Sequence, residues 1–166
     1  MGRFIAVFLV FISVYGFGQT DSIPFTLDLS KSKYKFEASA TPDYFRYTVG
    51  GKDVAFDSLA NYFTIVDRRS YKEHGFEVRK QIAKELFDMY KGIKQISQLS
   101  QKEIEIAKEK AFEICFVNDY SGKPFTQYVV VLGNKQATLF FVGKALVDFD
   151  ETVKEFKKIA RSIKIK

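Results

Sequence analysis

The sequence predicts an α+β fold in which an antiparallel sheet, run as a meander, is sandwiched by helices (α/β/α). Three observations carry this. The periodicity of apolar residues runs strands, helix, strands, helix. The last strands are separated by turns too short for a crossover, which makes them antiparallel neighbours. The runs YVVVL and LFFV are apolar at every position, as expected of central strands covered on both faces rather than strands with one wet side.

The chain opens MGRFIAVFLVFISVYGFGQ. Arg3 supplies a positive start and Phe4 to Tyr15 an apolar run, which is short for a membrane span of roughly 20 residues. Gly16 and Gly18 then place two small side chains one residue apart, as signal peptidase requires. Residues 1–18 are therefore expected to be a signal peptide cleaved before Gln19, which leaves no membrane span and puts the protein in the periplasm or outside the cell; the alternative is an uncleaved anchor or a buried first strand. Residues 19–32 read as a leader with a short strand at Phe25 to Leu29, and 33–166 as one α+β domain.

The run YFRYTVGGKDVAFDS alternates Phe45, Tyr47 and Val49 with polar residues, turns at Gly50-Gly51, and alternates again at Val54 and Phe56; this is a hairpin signal. LANYFTIVDRR is a further strand. FEVRKQIAKELFDMYKG carries Val78, Ile82, Leu86 and Met89 at helical spacing, widened by Ala83, Phe87 and Tyr90, and stops at Lys91-Gly92. The strands KEIEIAKEKAFEICFVND, KPFTQYVVVLGN and QATLFFVGKAL follow, joined at SGK and GNK. DFDETVKEFKKIARSI closes the domain as a helix capped by Asp148 or Asp150, with Phe149, Val153, Phe156, Ile159, Ala160 and Ile163 inward.

The order AFEICFVND, PFTQYVVVLGN, ATLFFVGKA and a helix ending FKKIARSIKIK resembles the PsbP-like group, the photosystem extrinsic protein and its bacterial envelope relatives. Phe156, Ser162 and Ile163 match the helix ending that docks a short last segment in that group, and the likeness covers about residues 60–166. The chain departs from the group in lacking tryptophan, so the aromatic stretch usual after the first strand has only ATPDYFRY in its place. The resemblance implies an α/β/α sandwich and a binding or assembly role without catalysis.

The residues themselves point the same way. The single histidine, His74, and single cysteine, Cys115, are too few for a zinc site, so no metal or cofactor is expected. One cysteine also excludes an intramolecular disulfide. In a strand, Cys115 shares a face with Glu113 and Val117, while Phe112, Ile114 and Phe116 take the other. No nucleophile elbow, phosphate loop or dinucleotide fingerprint occurs.

The formal net charge is +6. Outside the cytoplasm a basic surface suits acidic glycans or lipid head groups over nucleic acid; the ordinary alternative is a net charge that serves solubility alone. Lys154, Lys157, Lys158 and Arg161 recur at helical spacing and form a candidate basic patch; the ordinary alternative is a solvated outer face. Among 18 Phe and 9 Tyr, the group Tyr44, Tyr47, Tyr62 and Tyr71 is a candidate aromatic binding surface, against core or edge packing as the alternative. The expected function is an exported, non-enzymatic binding or assembly protein of the bacterial envelope, whose partner is a protein or an anionic envelope component. Two rival readings are a small secreted enzyme with carboxylates gathered by the fold, and an inhibitor or immunity-type protein that binds a secreted partner.

Overall fold

The computed structural model describes residues 23–37, 43–51, 60–120 and 122–166. In chain order these form β1 (Phe25–Thr26), β2 (Tyr34–Phe36), β3 (Tyr44–Val49), β4 (Tyr62–Asp67), α1 (Phe76–Lys91), β5 (Ile96–Ile106), β6 (Glu109–Tyr120), β7 (Lys123–Gly133), β8 (Thr138–Ala145), α2 (Phe149–Arg161) and β9 (Lys164–Ile165). Strands β2 to β8 make one antiparallel sheet in the order β2-β3-β4-β8-β7-β6-β5, and β1 pairs with β9 in a small second sheet. The fold is mixed α and β with antiparallel sheets. β5 to β8 run as a meander, and β4 closes on the far edge of β8.

Strand alternation sorts the core into two halves. On β7, Tyr128, Val130 and Leu132 pack with Val153, Phe156 and Ile159 of α2. Val129 and Val131 point the other way and pack with Ala83, Leu86 and Tyr90 of α1. All five are buried, which is why YVVVL carries no alternation. One helix lies against each face, and each covers only part of the sheet: α1 sits over β5, β6 and β7, and α2 over β7 and β8 with a smaller contact to β5. On the α2 side the covering layer continues with β1, where Phe25 meets Phe45 edge to face at 5.1 Å. The last segment docks as the helix ending implied: β9 pairs with β1, Ile163 is buried, and the backbone N–H of Asp28 donates to the Ser162 hydroxyl at 2.9 Å.

Several elements differ from their sequence reading. Tyr34–Phe36 is a strand on the outer edge of β3. β5 starts at Ile96 and is separated from β6 by a turn in which Ala107 and Lys108 take φ of 52° and 67°. Such turns favour Gly or Asn, so Ala-Lys gave no signal and the two strands read as one. Gly50 and Gly51 do turn, at φ of 72° and 71°. Both edges of β3 are taken, by β2 and β4, and the expected hairpin partner with Val54 and Phe56 lies outside the described residues.

The buried stripe of α1 is Arg79, Ala83, Leu86 and Tyr90, while Met89 is exposed. The stripe turned because Arg79, fully buried, binds backbone: its Nε donates to the Lys110 carbonyl at 3.2 Å and its Nη1 to the Asn134 carbonyl at 3.0 Å, tying the β5–β6 and β7–β8 turns together. In α2, Phe149 is exposed, and Asp148 occupies the N-cap position without a side-chain cap bond. Asn61 secures that corner instead. Its Nδ2 donates to the Val147 carbonyl and the Thr152 hydroxyl, and its Oδ1 accepts from the Leu146 and Val147 N–H groups.

No helix among the described residues is long and apolar enough to cross a membrane. The signal-peptide reading, with Gly16, Gly18 and Gln19, falls outside the described residues.

Candidate binding site between α2 and the meander

On β6, alternation turns Glu113 and Cys115 toward α2 and Phe112, Ile114 and Phe116 toward α1, where the three phenylalanine and isoleucine side chains join the second core. Glu113 is 4% exposed, a carboxylate set in an otherwise apolar layer. Burying it alone would be costly, so it must be paired. The Tyr128 hydroxyl donates to its Oε2 at 2.8 Å. Three cations approach it from different elements. Lys102, its direct cross-strand partner on β5, places Nζ 3.4 Å from Oε1. Lys157 and Arg161, one helical turn apart on α2, come to 3.7 Å from Oε1 and Oε2. Burial, reinforced by the Glu113 charge, pushes the Tyr128 phenol far above its ordinary range, so it remains a donor to the carboxylate at any physiological pH.

Beside this cluster a groove of about 270 Å³ opens between α2 and the strands, lined by Gln98, Cys115, Thr126, Asp150, Lys154 and Lys157. The Cys115 thiol is pushed up chiefly by burial, with Lys157 acting against and Glu113 with the shift. It is therefore a poor nucleophile. His74 is anchored by contacts of its Nδ1 with the Thr138 hydroxyl at 3.2 Å and of its Nε2 with the Arg69 carbonyl at 3.3 Å. Thr138 belongs to the sheet face opposite Cys115, so the sheet separates the two residues. No group of three metal-ligating side chains occurs among the described residues.

The four cations of the expected patch divide. Lys154 and Lys158 are exposed, with Lys154 at the groove, whereas Lys157 and Arg161 lean onto Glu113. The face is thus partly an ion network rather than a free row of charge. The four tyrosines do not form one surface. Tyr47 is core: it is 2% exposed and stacks on Phe63 at 4.7 Å between ring centroids. Tyr44 and Tyr62 occupy the opposite face, where the Thr64 hydroxyl donates to Tyr44 and the Arg46 guanidinium lies 4.8 Å from the Tyr62 ring. Tyr71 lies in the loop after β4, 5.8 Å from the Arg68 guanidinium. The period of two in β3 makes the split inevitable, since Tyr44 and Tyr47 differ by an odd number of residues. Lys102, Tyr128 and Thr126 were missed as site residues. Glu113 on the face of β6 that α2 covers was the one available signal, since a buried carboxylate demands partners.

No protein-family model matches the chain, and no curated protein does. Solved structures do. LpqN of Mycobacterium tuberculosis, described as involved in cell envelope biogenesis, superposes with a TM-score of 0.57 at 15% identity, over 89% of this chain and 86% of LpqN. The chain shares its fold with LpqN. A Bacteroides thetaiotaomicron protein gives a TM-score of 0.52 at 10% identity over 86% of this chain, which spans only 45% of that protein's length. Cyanobacterial PsbP (CyanoP) from Synechocystis sp. PCC 6803 is similar over 91% of this chain and 98% of its own, at 13% identity and a TM-score of 0.46. At 10% and 15% identity, the likeness to LpqN and to the Bacteroides thetaiotaomicron protein is one of fold.

Proposed function

We propose that this is an exported, non-enzymatic protein of the cell envelope that binds an anionic partner through the basic face of α2 and the adjoining groove. One observation carries the reading: beside the groove, which Lys157 also lines, three cations face a single carboxylate, so the surface keeps a local excess of positive charge. Lys154 at the groove and Lys158 on the same helix extend it. Two further points support it. The N-terminal Arg3, apolar run and Gly16-x-Gly18 pattern is that of an export signal cleaved before Gln19. LpqN, with the same fold, is described as acting in envelope biogenesis. An enzyme built on the buried acid is less favoured, because Glu113 is almost wholly covered and its Oε2 is held by the Tyr128 hydroxyl.

The test is binding of the purified protein to anionic envelope polymers and anionic vesicles across a salt series. Attraction by exposed charges weakens as the screening length falls to about 8 Å at physiological ionic strength. Binding that falls steeply with salt, and falls again when Lys154, Lys157, Lys158 and Arg161 are changed to Gln, is the expected result. Binding insensitive to all four changes overturns the reading.

A further inference from the structure

We infer that Lys102, Lys157 and Arg161 form a receptor for a doubly charged oxyanion, a phosphate monoester, with Glu113 as the fixed anion that gathers them. The inference rests on the binding role proposed for the α2 face and specifies its ligand. Three unit positive charges meet one negative charge, leaving two uncompensated. The distances, 3.4, 3.7 and 3.7 Å, lie beyond hydrogen-bond length, while the Tyr128 hydroxyl already occupies Oε2 at 2.8 Å. The cationic heads are therefore drawn to Glu113 without being consumed by it. They are also open at the top: the side chains are 56%, 33% and 45% exposed, against 5% for Glu113.

A carboxylate ligand would cancel one of the two surplus charges; a phosphate monoester, with roughly −1.5 to −2 at neutral pH, cancels both. Its tetrahedral oxygens suit one planar guanidinium fork and two ammonium point charges arriving from two elements. The carrier of the phosphate fits the neighbouring groove, where the Thr126 hydroxyl and Gln98 amide supply neutral hydrogen-bonding groups. Asp150 in the same lining carries a negative charge, which disfavours a second phosphate beside the first.

The phosphate can come from a soluble sugar phosphate or from a lipid head group, so both are titrated. The purified full chain is mixed with a hexose phosphate, the unphosphorylated hexose, polyglutamate, and phosphatidylcholine vesicles with and without phosphatidic acid. Binding is followed by calorimetry, and every variant is checked by thermal melting. The expected result is binding of a phosphate-bearing probe that weakens below about pH 6, as the monoester loses its second charge. Lys157→Gln and Arg161→Gln each weaken it about tenfold or more, as loss of a charge-assisted contact does, and Lys91→Gln on α1 leaves it unchanged. Binding confined to the hexose phosphate assigns a soluble source, and binding confined to phosphatidic acid vesicles a lipid one; both support the site. If Lys91→Gln weakens binding as much as Arg161→Gln, the charge is diffuse: the receptor is overturned and the broader binding role stands. Binding of polyglutamate without any phosphate-bearing probe likewise overturns the receptor and leaves the broader role standing. If no anionic probe binds, both fail.

Discussion

The seat of α2 depends on the absence of one methyl group. Gly143, opposite Tyr128 on β8, lies directly under Phe156, and a Cβ built there would stand 2.4 Å from Cδ2 and 2.6 Å from Cε2 of that ring. Carbon atoms in contact prefer about 3.5–4.0 Å, so Gly143→Ala forces a displacement of about 1 Å. The ring has no room to swing, since Phe63, Phe141 and Tyr34 surround it at centroid distances of 6.0, 5.9 and 5.6 Å. The helix must lift instead. Overpacking of this kind costs about 1–3 kcal/mol, against about 0.4–1 kcal/mol recovered from the less flexible unfolded chain. A net loss of about 1–2 kcal/mol is expected, or roughly 2–8 °C in Tm for a domain of this size. Urea denaturation of the wild type, Gly143→Ala, Phe156→Leu and the double variant measures it, and the double variant should lose less than the sum of the singles. A Gly143→Ala protein as stable as the wild type, or additive singles, would refute the argument that the glycine exists to seat Phe156.

Asn61→Ala removes four hydrogen bonds from the β8–α2 corner and should cost about 2–3 kcal/mol in chemical denaturation, whereas Asp148→Ala, which breaks no cap bond, should cost little. Arg79→Leu strands the carbonyls of Lys110 and Asn134, and a loss of about 3 kcal/mol is expected from thermal or urea unfolding. Burial pushes the phenols of Tyr47 and Tyr90 up to about 12 from 10.0. The fold thus holds protons that the unfolded chain releases, so this stability is complete below pH 10 and lost as pH rises toward 12; phenolate absorbance and circular dichroism recorded together should change in one step there. Intact-mass analysis of exported material should find the chain beginning at Gln19, and a mass that retains Met1 to Gly18 refutes the export signal.

Much of the architecture was legible because it rests on periodicity. Both helices were placed from their spacing, β3 and β4 from alternation or composition, and the central position of β7 from its unbroken apolar run. Elements without that signature escaped. β2 is three residues long, and most of β5 is an exposed edge of Ser, Gln, Lys and Glu whose turn lacks Gly or Asn. For the candidate site, the two α2 cations, Lys157 and Arg161, and the face of Glu113 could be read along the chain. Their convergence could not, because Lys102, Glu113, Tyr128 and Arg161 meet only when β5, β6, β7 and α2 are laid together.

Residue order along one chain settles which face each side chain takes, since the periods of 2 and 3.6 are local geometry. That was enough to assign a mixed α and β fold with antiparallel strands, the inward stripe of α2 apart from the exposed Phe149, and the placing of Glu113 with Cys115 on one face. Which strand borders which, and hence which charges share a carboxylate, depends on contacts between residues far apart in sequence. Burial then decides the chemistry, turning one Tyr of β3 into core, one Arg of α1 into a backbone clamp, and one Glu of β6 into the anchor of a cationic cluster.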